Sequence, residues 1–204
     1  MKINNQTTIK QEVSLHGVGL HTGESVTLTF KPAPVNNGFT FKRVDLEGQP
    51  VIPAIADLVT ATDRGTSLEK NGVIIQTSEH VLAACVGLGL DNVILELNSS
   101  EPPIMDGSSK FFVEALEKAG IVEQDTPREE YVVKDVISFK DEETGSEIIV
   151  MPADEYQVTT MVDFGTKVLG TQNAYLDKMS DFKTEIADSR TFSFLHELEA
   201  LLAH

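Results

Sequence analysis

Apolar residues fall at every second position through much of the first third of the chain. Residues 7–15 alternate around Ile9, Val13 and Leu15 and predict a strand, which Gly17 and Gly19 punctuate. Val26-Thr27-Leu28-Thr29-Phe30 predicts a second strand, stopped by Pro32 and Pro34, and Phe39-Thr40-Phe41-Lys42-Arg43 a third. The period then changes. Residues 79–86 are apolar nearly all round, the pattern of a buried helix, and Gly87 and Gly89 end it. Asn92–Leu97 returns to strand patterning. Residues 109–119 predict an amphipathic helix with Phe112, Leu116 and Ala119 on one face, and Glu114 and Lys118 spaced to pair on the other. The polar, acidic stretch 123–130, with Pro127, predicts a linker. Strands are expected at 131–138, 147–151 and 156–162, then less regular chain to about residue 189. Phe194, Leu195, Leu198, Leu201 and Leu202 mark a last amphipathic helix. Runs of strands with a few helices, rather than strict alternation, predict an α+β fold with helices packed on sheets.

That last helix runs to Ala203-His204 with no Gly, Asn or Pro stop, and only a few strands are available to bury its apolar face. The expectation is that the 204 residues are the N-terminal portion of a longer protein.

Composition narrows the functional classes. Sixteen basic against 32 acidic residues give a net charge of −16, which repels phosphate backbones and anionic lipid. Nucleic acid and membrane surfaces are therefore poor candidate partners, and an anionic substrate needs a locally basic or amide-lined pocket. The single cysteine, Cys85, excludes an internal disulfide framework and sits in an apolar run as a small buried hydrophobe. The N-terminus lacks the apolar core of a signal peptide, and no apolar stretch approaches the ~18 residues that span a bilayer. The expected address is the cytoplasm.

Candidate chemistry starts with the histidines, of which there are five. His80 follows Glu79 at the head of the predicted buried helix. An imidazole beside a carboxylate there can supply a metal ligand and a general base, with amide donors from the helix N-terminus and Thr77 or Ser78 as cap. The competing reading is a helix-capping Glu beside a core His. The glycines of His16-Gly17-Val18-Gly19-Leu20-His21-Thr22-Gly23 allow a tight bend or close approach to a ligand, and His16 and His21 meet at a metal only if the bend folds them together. Pro102–Ser109 reads as a rigid turn into a helix, with Ser108 as its cap. Ser189–Phe194 places the Thr191 hydroxyl between Arg190 and the aromatics Phe192 and Phe194.

The ordered set of motifs is more specific than any member. Gly-Val-Gly-Leu-His-Thr-Gly (17–23), Pro-Ala-Pro (32–34), Glu-His (79–80), Gly-Leu-Gly-Leu-Asp-Asn (87–92), Pro-Ile-Met-Asp-Gly-Ser (103–108) and Arg-Thr-Phe-Ser-Phe (190–194) run along essentially the whole chain. Together they resemble the zinc-dependent UDP-3-O-acyl-N-acetylglucosamine deacetylases of lipid A biosynthesis in Gram-negative bacteria. The resemblance implies two similar α+β domains with the active site in the cleft between them. Residues 1–126 would form the first, and 127–204 an incomplete second. It implies that His80 is a zinc ligand, Glu79 the general base and Thr191 the hydroxyl that stabilises the oxyanion. It implies that Asp163 and Phe164 meet the nucleotide diphosphate, that Phe192 and Phe194 line the substrate, and that Leu20 and His21 line the cleft.

The chain also departs from the family pattern. The loop 63–66 reads Asp-Arg-Gly-Thr, more polar than in many relatives, and the proline usually found after Asp-Phe is absent around Lys167-Val168-Leu169. No His-x-x-x-Asp occurs, so the two remaining zinc ligands of the family would lie beyond residue 204 and the chain alone would be inactive. Two other readings stay open: a metal-free sugar-nucleotide-binding module, and part of a deacetylase fused to a hydroxyacyl-carrier-protein dehydratase.

Overall fold

The computed structural model describes residues 5–195 apart from Asp63. The expected last helix lies outside the described residues except for its start at Leu195. Among the described residues fourteen strands and three α-helices follow one another in an α+β arrangement, as the patterning predicts.

The chain opens with β1 (Asn5–Ile9) and β2 (Val13–Val18), then β3 (Ser25–Pro32), β4 (Phe39–Arg43) and β5 (Val51–Pro53). A small meander follows, β6 (Val59–Ala61), β7 (Ser67–Lys70) and β8 (Val73–Ile75). It leads into α1 (Glu79–Gly87), β9 (Val93–Leu97), α2 (Lys110–Ala119) and β10 (Ile121–Pro127). Beyond come β11 (Ile137–Lys140), β12 (Glu147–Val150), β13 (Val158–Asp163), β14 (Thr171–Leu176) and the one-turn helix α3 (Phe182–Glu185).

The central sheet has the order β2-β3-β9-β4-β5, antiparallel except for the parallel β4–β9 pair. Alternation sets its inner face. Val26, Leu28 and Phe30 of β3 and Val93, Leu95 and Leu97 of β9 are buried, while Thr27, Thr29 and Lys31 point outward. Helices α1 and α2 cover that face with Val81, Ala84 and Cys85 from one and Phe112, Val113, Leu116 and Ala119 from the other. Phe112 meets Phe30 edge to face, ring centroids 6.4 Å apart. Each such fully buried Leu, Val or Phe contributes about 1.5–3 kcal/mol relative to exposure. Burial pushes the Cys85 thiol up to about 12, so it is an inert core group.

Two expectations are corrected here. The single strand expected over residues 7–15 is two strands, because the chain turns at Lys10–Glu12 and β1 leaves the central sheet to pair with β10. The linker expected at 123–130 is strand as far as Pro127. Polar residues occupy that strand because they serve a buried amide network. Asn92, 1% exposed, donates to Gln6 and Gln124 Oε1, both at 2.8 Å, and accepts from Gly38 N–H at 2.9 Å. Arg128 then donates to Gly89 O and Asp91, both at 2.8 Å.

The later strands differ too. The expected strand 131–138 is mostly irregular chain, with only Ile137–Lys140 pairing, and β14 lies inside the stretch read as irregular. Among the described residues β11 pairs only with β12, and β13 only with β14. The Glu114–Lys118 pair is not formed. Glu117 instead accepts from Lys183 at 2.7 and 2.9 Å. Among the described residues no helix is long and apolar enough to cross a membrane.

Candidate active site

Glu79 and His80 open α1, and the turn before them is built from polar contacts rather than a side-chain cap. Ser78 takes the N-cap position, yet neither it nor Thr77 caps the helix, contrary to expectation. The Ser78 hydroxyl donates to Thr66 O at 2.9 Å, and Ser78 N–H donates to the same carbonyl at 3.1 Å. Glu79 Oε2 accepts Thr66 N–H at 2.8 Å. The 64–66 loop is thereby fastened across the head of α1. Glu79 Oε1 lies 3.7 Å from His80 Nε2, so the carboxylate and the imidazole flank one position. The His80 side chain is 16% exposed, so it is neither a sealed core group nor a free surface one.

Beside this turn lies a polar cleft of about 240 Å³ lined by His21, Arg64, Gly65, Ser67, Gln76 and Thr77. His21 comes from the bend between β2 and β3, where Gly23 N–H donates to Gly19 O at 3.1 Å. Gly19 is required by crowding: a Cβ there would collide with the Thr22 hydroxyl and sit 2.6 Å from Glu101 Oε2. Leu20, beside His21 in that bend, is half exposed and is not among the residues that line the cleft.

Thr191 is placed by the turn that starts α2. Its N–H donates to Gly107 O at 2.8 Å, and Ser109 N–H donates to Ala187 O at 3.0 Å. Ser109 Oγ in turn donates to His80 O at 2.9 Å. Residues 187–191 are therefore linked to the backbone of His80 through one short turn. Within it Ser108 Oγ accepts Lys110 N–H at 3.2 Å and donates to Asp106 at 2.6 Å, but the N-cap position of α2 falls to Ser109, one residue later than expected, and carries no side-chain cap bond. The Ser108 hydroxyl, with help from Ser108 N–H and Arg190, holds the Asp106 carboxyl below its usual range despite partial desolvation.

Phe164, Phe192 and Phe194 come together from two segments. Their centroids lie 5.2 Å (164–192), 5.7 Å (192–194) and 6.4 Å (164–194) apart, all edge to face. Asp163 next to them accepts Gly165 N–H at 2.9 Å and faces solvent. Sequence spacing alone does not join residue 164 to 192 and 194.

Glu101 was missed by sequence reasoning. It is 0% exposed and accepts from Thr77 Oγ (2.8 Å), His21 N–H (3.0 Å), Thr22 N–H (3.0 Å) and Thr22 Oγ (3.1 Å). Burial pushes its carboxyl up, but those donors outweigh it and hold the group below its ordinary value. A lone acid inside Glu101-Pro102-Pro103-Ile104-Met105 was the available signal. Thr77 was missed as a special position: its φ is +51°, a left-handed conformation that a β-branched residue adopts only at a cost of about 1–3 kcal/mol.

The metal expectation can be tested against these side chains. Among the described residues no three His, Cys, Asp or Glu side chains group to hold a cation. His16 is engaged elsewhere, its Nδ1 2.8 Å from Thr27 Oγ1. His80, the expected ligand, is thus not part of a closed three-ligand group among the described residues.

Comparison with known proteins decides the family. The model of the family described as "LpxC: UDP-3-O-acyl N-acetylglycosamine deacetylase" matches residues 6–204. The chain belongs to this family. It is 47% identical over 198 residues to a Bacteroides thetaiotaomicron protein named bifunctional enzyme LpxC/FabZ, covering 97% of this chain and 43% of that protein. A Porphyromonas gingivalis protein of the same name is 47% identical over 197 residues, with the same coverage. A Xanthomonas oryzae protein named UDP-3-O-acyl-N-acetylglucosamine deacetylase is 42% identical over 198 residues, covering 95% of this chain and 64% of that protein. The chain therefore spans less than half the length of the bifunctional relatives.

Proposed function

We propose that the whole protein removes the N-acetyl group of UDP-3-O-acyl-N-acetylglucosamine, an early step of lipid A biosynthesis, and that this chain carries its general base and one of three zinc ligands. The observation that carries the reading is the family match over residues 6–204, with Glu79 and His80 flanking one position at the head of α1. In this reading residues 1–126 form the first of two α+β units, and 127–204 belong to the second.

When bound, zinc would polarise the amide carbonyl and make the attacking water more acidic. The roles of this chain's residues follow from their positions. Glu79, with Oε2 held by Thr66 N–H, keeps Oε1 toward the reacting position and takes the proton of the attacking water, help worth roughly 10²–10⁴-fold. Thr191, fixed by its backbone bond to Gly107, donates its hydroxyl to the developing oxyanion. The Phe164–Phe192–Phe194 cluster gives an apolar surface for the sugar nucleotide, with Asp163 at its edge; His21 lines the cleft, and Leu20 meets the substrate from the same bend. Acetate and a free glucosamine amine leave. The net charge of −16 disfavours nucleic acid, so an anionic sugar nucleotide would have to be met by local donors. We place the reaction in the cytoplasm, in keeping with a UDP-sugar substrate and one cysteine buried as a thiol.

The test is acetate release from the UDP-sugar by the whole protein and by this chain, each with added zinc. The reading requires turnover by the first and none by the second. Equal turnover by both would refute the division of ligands. The competing reading, a metal-free sugar-nucleotide binder, predicts saturable heat with the UDP-sugar in calorimetry of this chain without zinc. Two relatives named LpxC/FabZ favour the further proposal that the whole protein also dehydrates hydroxyacyl-carrier-protein substrates, which an assay of that activity decides.

A further inference from the structure

A buried carboxylate is costly unless its charge is met, and a cation usually meets it. Glu101 is fully buried, and among the described residues no Lys or Arg pairs with it. Its charge is met by four donors from two separate places. Three belong to the bend after β2 that carries Leu20 and His21. The fourth is the hydroxyl of Thr77, two residues before Glu79. The bend is cleared for the carboxylate by Gly19, where any side chain would displace it. Thr77 is kept in its left-handed conformation while it makes this bond. A packing role alone would be filled as well by an apolar side chain, without the desolvation cost.

We infer that Glu101 is a positioning residue: its buried carboxylate joins the Leu20–Thr22 bend to Thr77 and so sets the cleft wall against the Glu79–His80 turn. This rests on the deacetylase reading. The two oxygens carry unequal shares. Oε2 holds Thr22 N–H and hydroxyl, His21 N–H is shared between Oε2 at 3.0 Å and Oε1 at 3.2 Å, and Oε1 alone takes the Thr77 hydroxyl. Loss of the Thr77 bond frees the turn ahead of Glu79 but leaves the bend attached. That separates alignment of the base, which sets kcat, from substrate contact with the bend, which sets KM.

The experiment uses three variants of the whole protein: Thr77→Val, Thr77→Ser and Glu101→Gln. Thr77→Val keeps shape and loses the hydroxyl. It is expected to lower kcat on the order of a hundredfold with KM shifted far less, as for a base displaced by about an ångström. Thr77→Ser is expected to recover most of that loss. Glu101→Gln keeps one acceptor oxygen for the bend and loses the charge, so it should lower kcat and speed amide exchange at His21 and Thr22 by roughly tenfold as charge-assisted bonds become neutral. Folded Thr77→Val with wild-type kcat, or a Ser variant no better than Val, overturns the inference. Should Thr77→Val not fold, Glu101→Gln decides by the same measures, and unchanged exchange at His21 and Thr22 overturns it. Exchange needs no turnover. A wild-type protein without deacetylase activity would therefore sink the functional reading while exchange still judged the bridge.

Discussion

Residues 5–127 and 128–195 use similar strand sequences to opposite ends. In the first region β3 and β9 each bury three alternate apolar side chains under two helices. In the second, Ile137, Phe139, Ile148 and Val150 lie on the same face of the β11–β12 hairpin, paired 137 with 150 and 139 with 148, and are 40–65% exposed. The same period-two signal therefore marks a core face in one region and an exposed face in the other. Among the described residues, what differs is whether helices lie over the sheet, and an isolated two-stranded hairpin is marginal in water.

The comparison can be broken most sharply in the core. Leu95→Ala should destabilise the chain by about 2–5 kcal/mol in denaturant unfolding, and Phe139→Ala by less than about 0.5 kcal/mol. Equal losses would mean that the second region has a core of its own. Gly87→Ala probes the seam between the regions. A Cβ at Gly87 would run into the Phe182 ring, and Phe182 is among the few buried apolar residues of the later region. The expected loss is about 1–3 kcal/mol, with faster amide exchange through 182–187, and a neutral outcome would show that α3 does not dock there.

Acid sharpens the comparison further. The folded-state pKa of Glu101 lies below its ordinary value of 4.5, so its contribution is complete above that value and is lost as pH falls through the folded pKa. Acid unfolding monitored in the first region should begin below about pH 4.5 and weaken with Glu101→Gln. A Gln variant with an unshifted acid limb would contradict this. The smallest effect is expected at the surface. Lys183→Gln breaks a half-exposed pair with Glu117 and should cost less than about 1 kcal/mol by thermal melting.

Much of the first region was legible because its elements carry local signals. The amphipathic face of α2, the all-round apolarity of α1 and the glycine bend at 17–23 each read correctly from spacing. β10 did not, because its polar residues answer a buried network centred on Asn92, 30 or more positions away, and a polar strand looks like a linker. β14 failed for another reason: Thr171–Tyr175 is exposed throughout, so burial imposed no apolar pattern on it. The site divides in the same way. Glu79 and His80 stand at the helix start that their spacing predicts, while the roles expected of them came from the family resemblance. Glu101 acts through partners 24 to 80 positions away, which no local pattern encodes.

The central claim is that Glu79 moves the proton while His80 holds the metal. The direct measurement is acetate release and zinc content, side by side, for the whole protein and its Glu79→Gln variant. The account predicts a rate loss of roughly 10²–10⁴-fold with zinc content unchanged. Zinc falling in proportion to activity, or turnover persisting without the carboxylate, would contradict it.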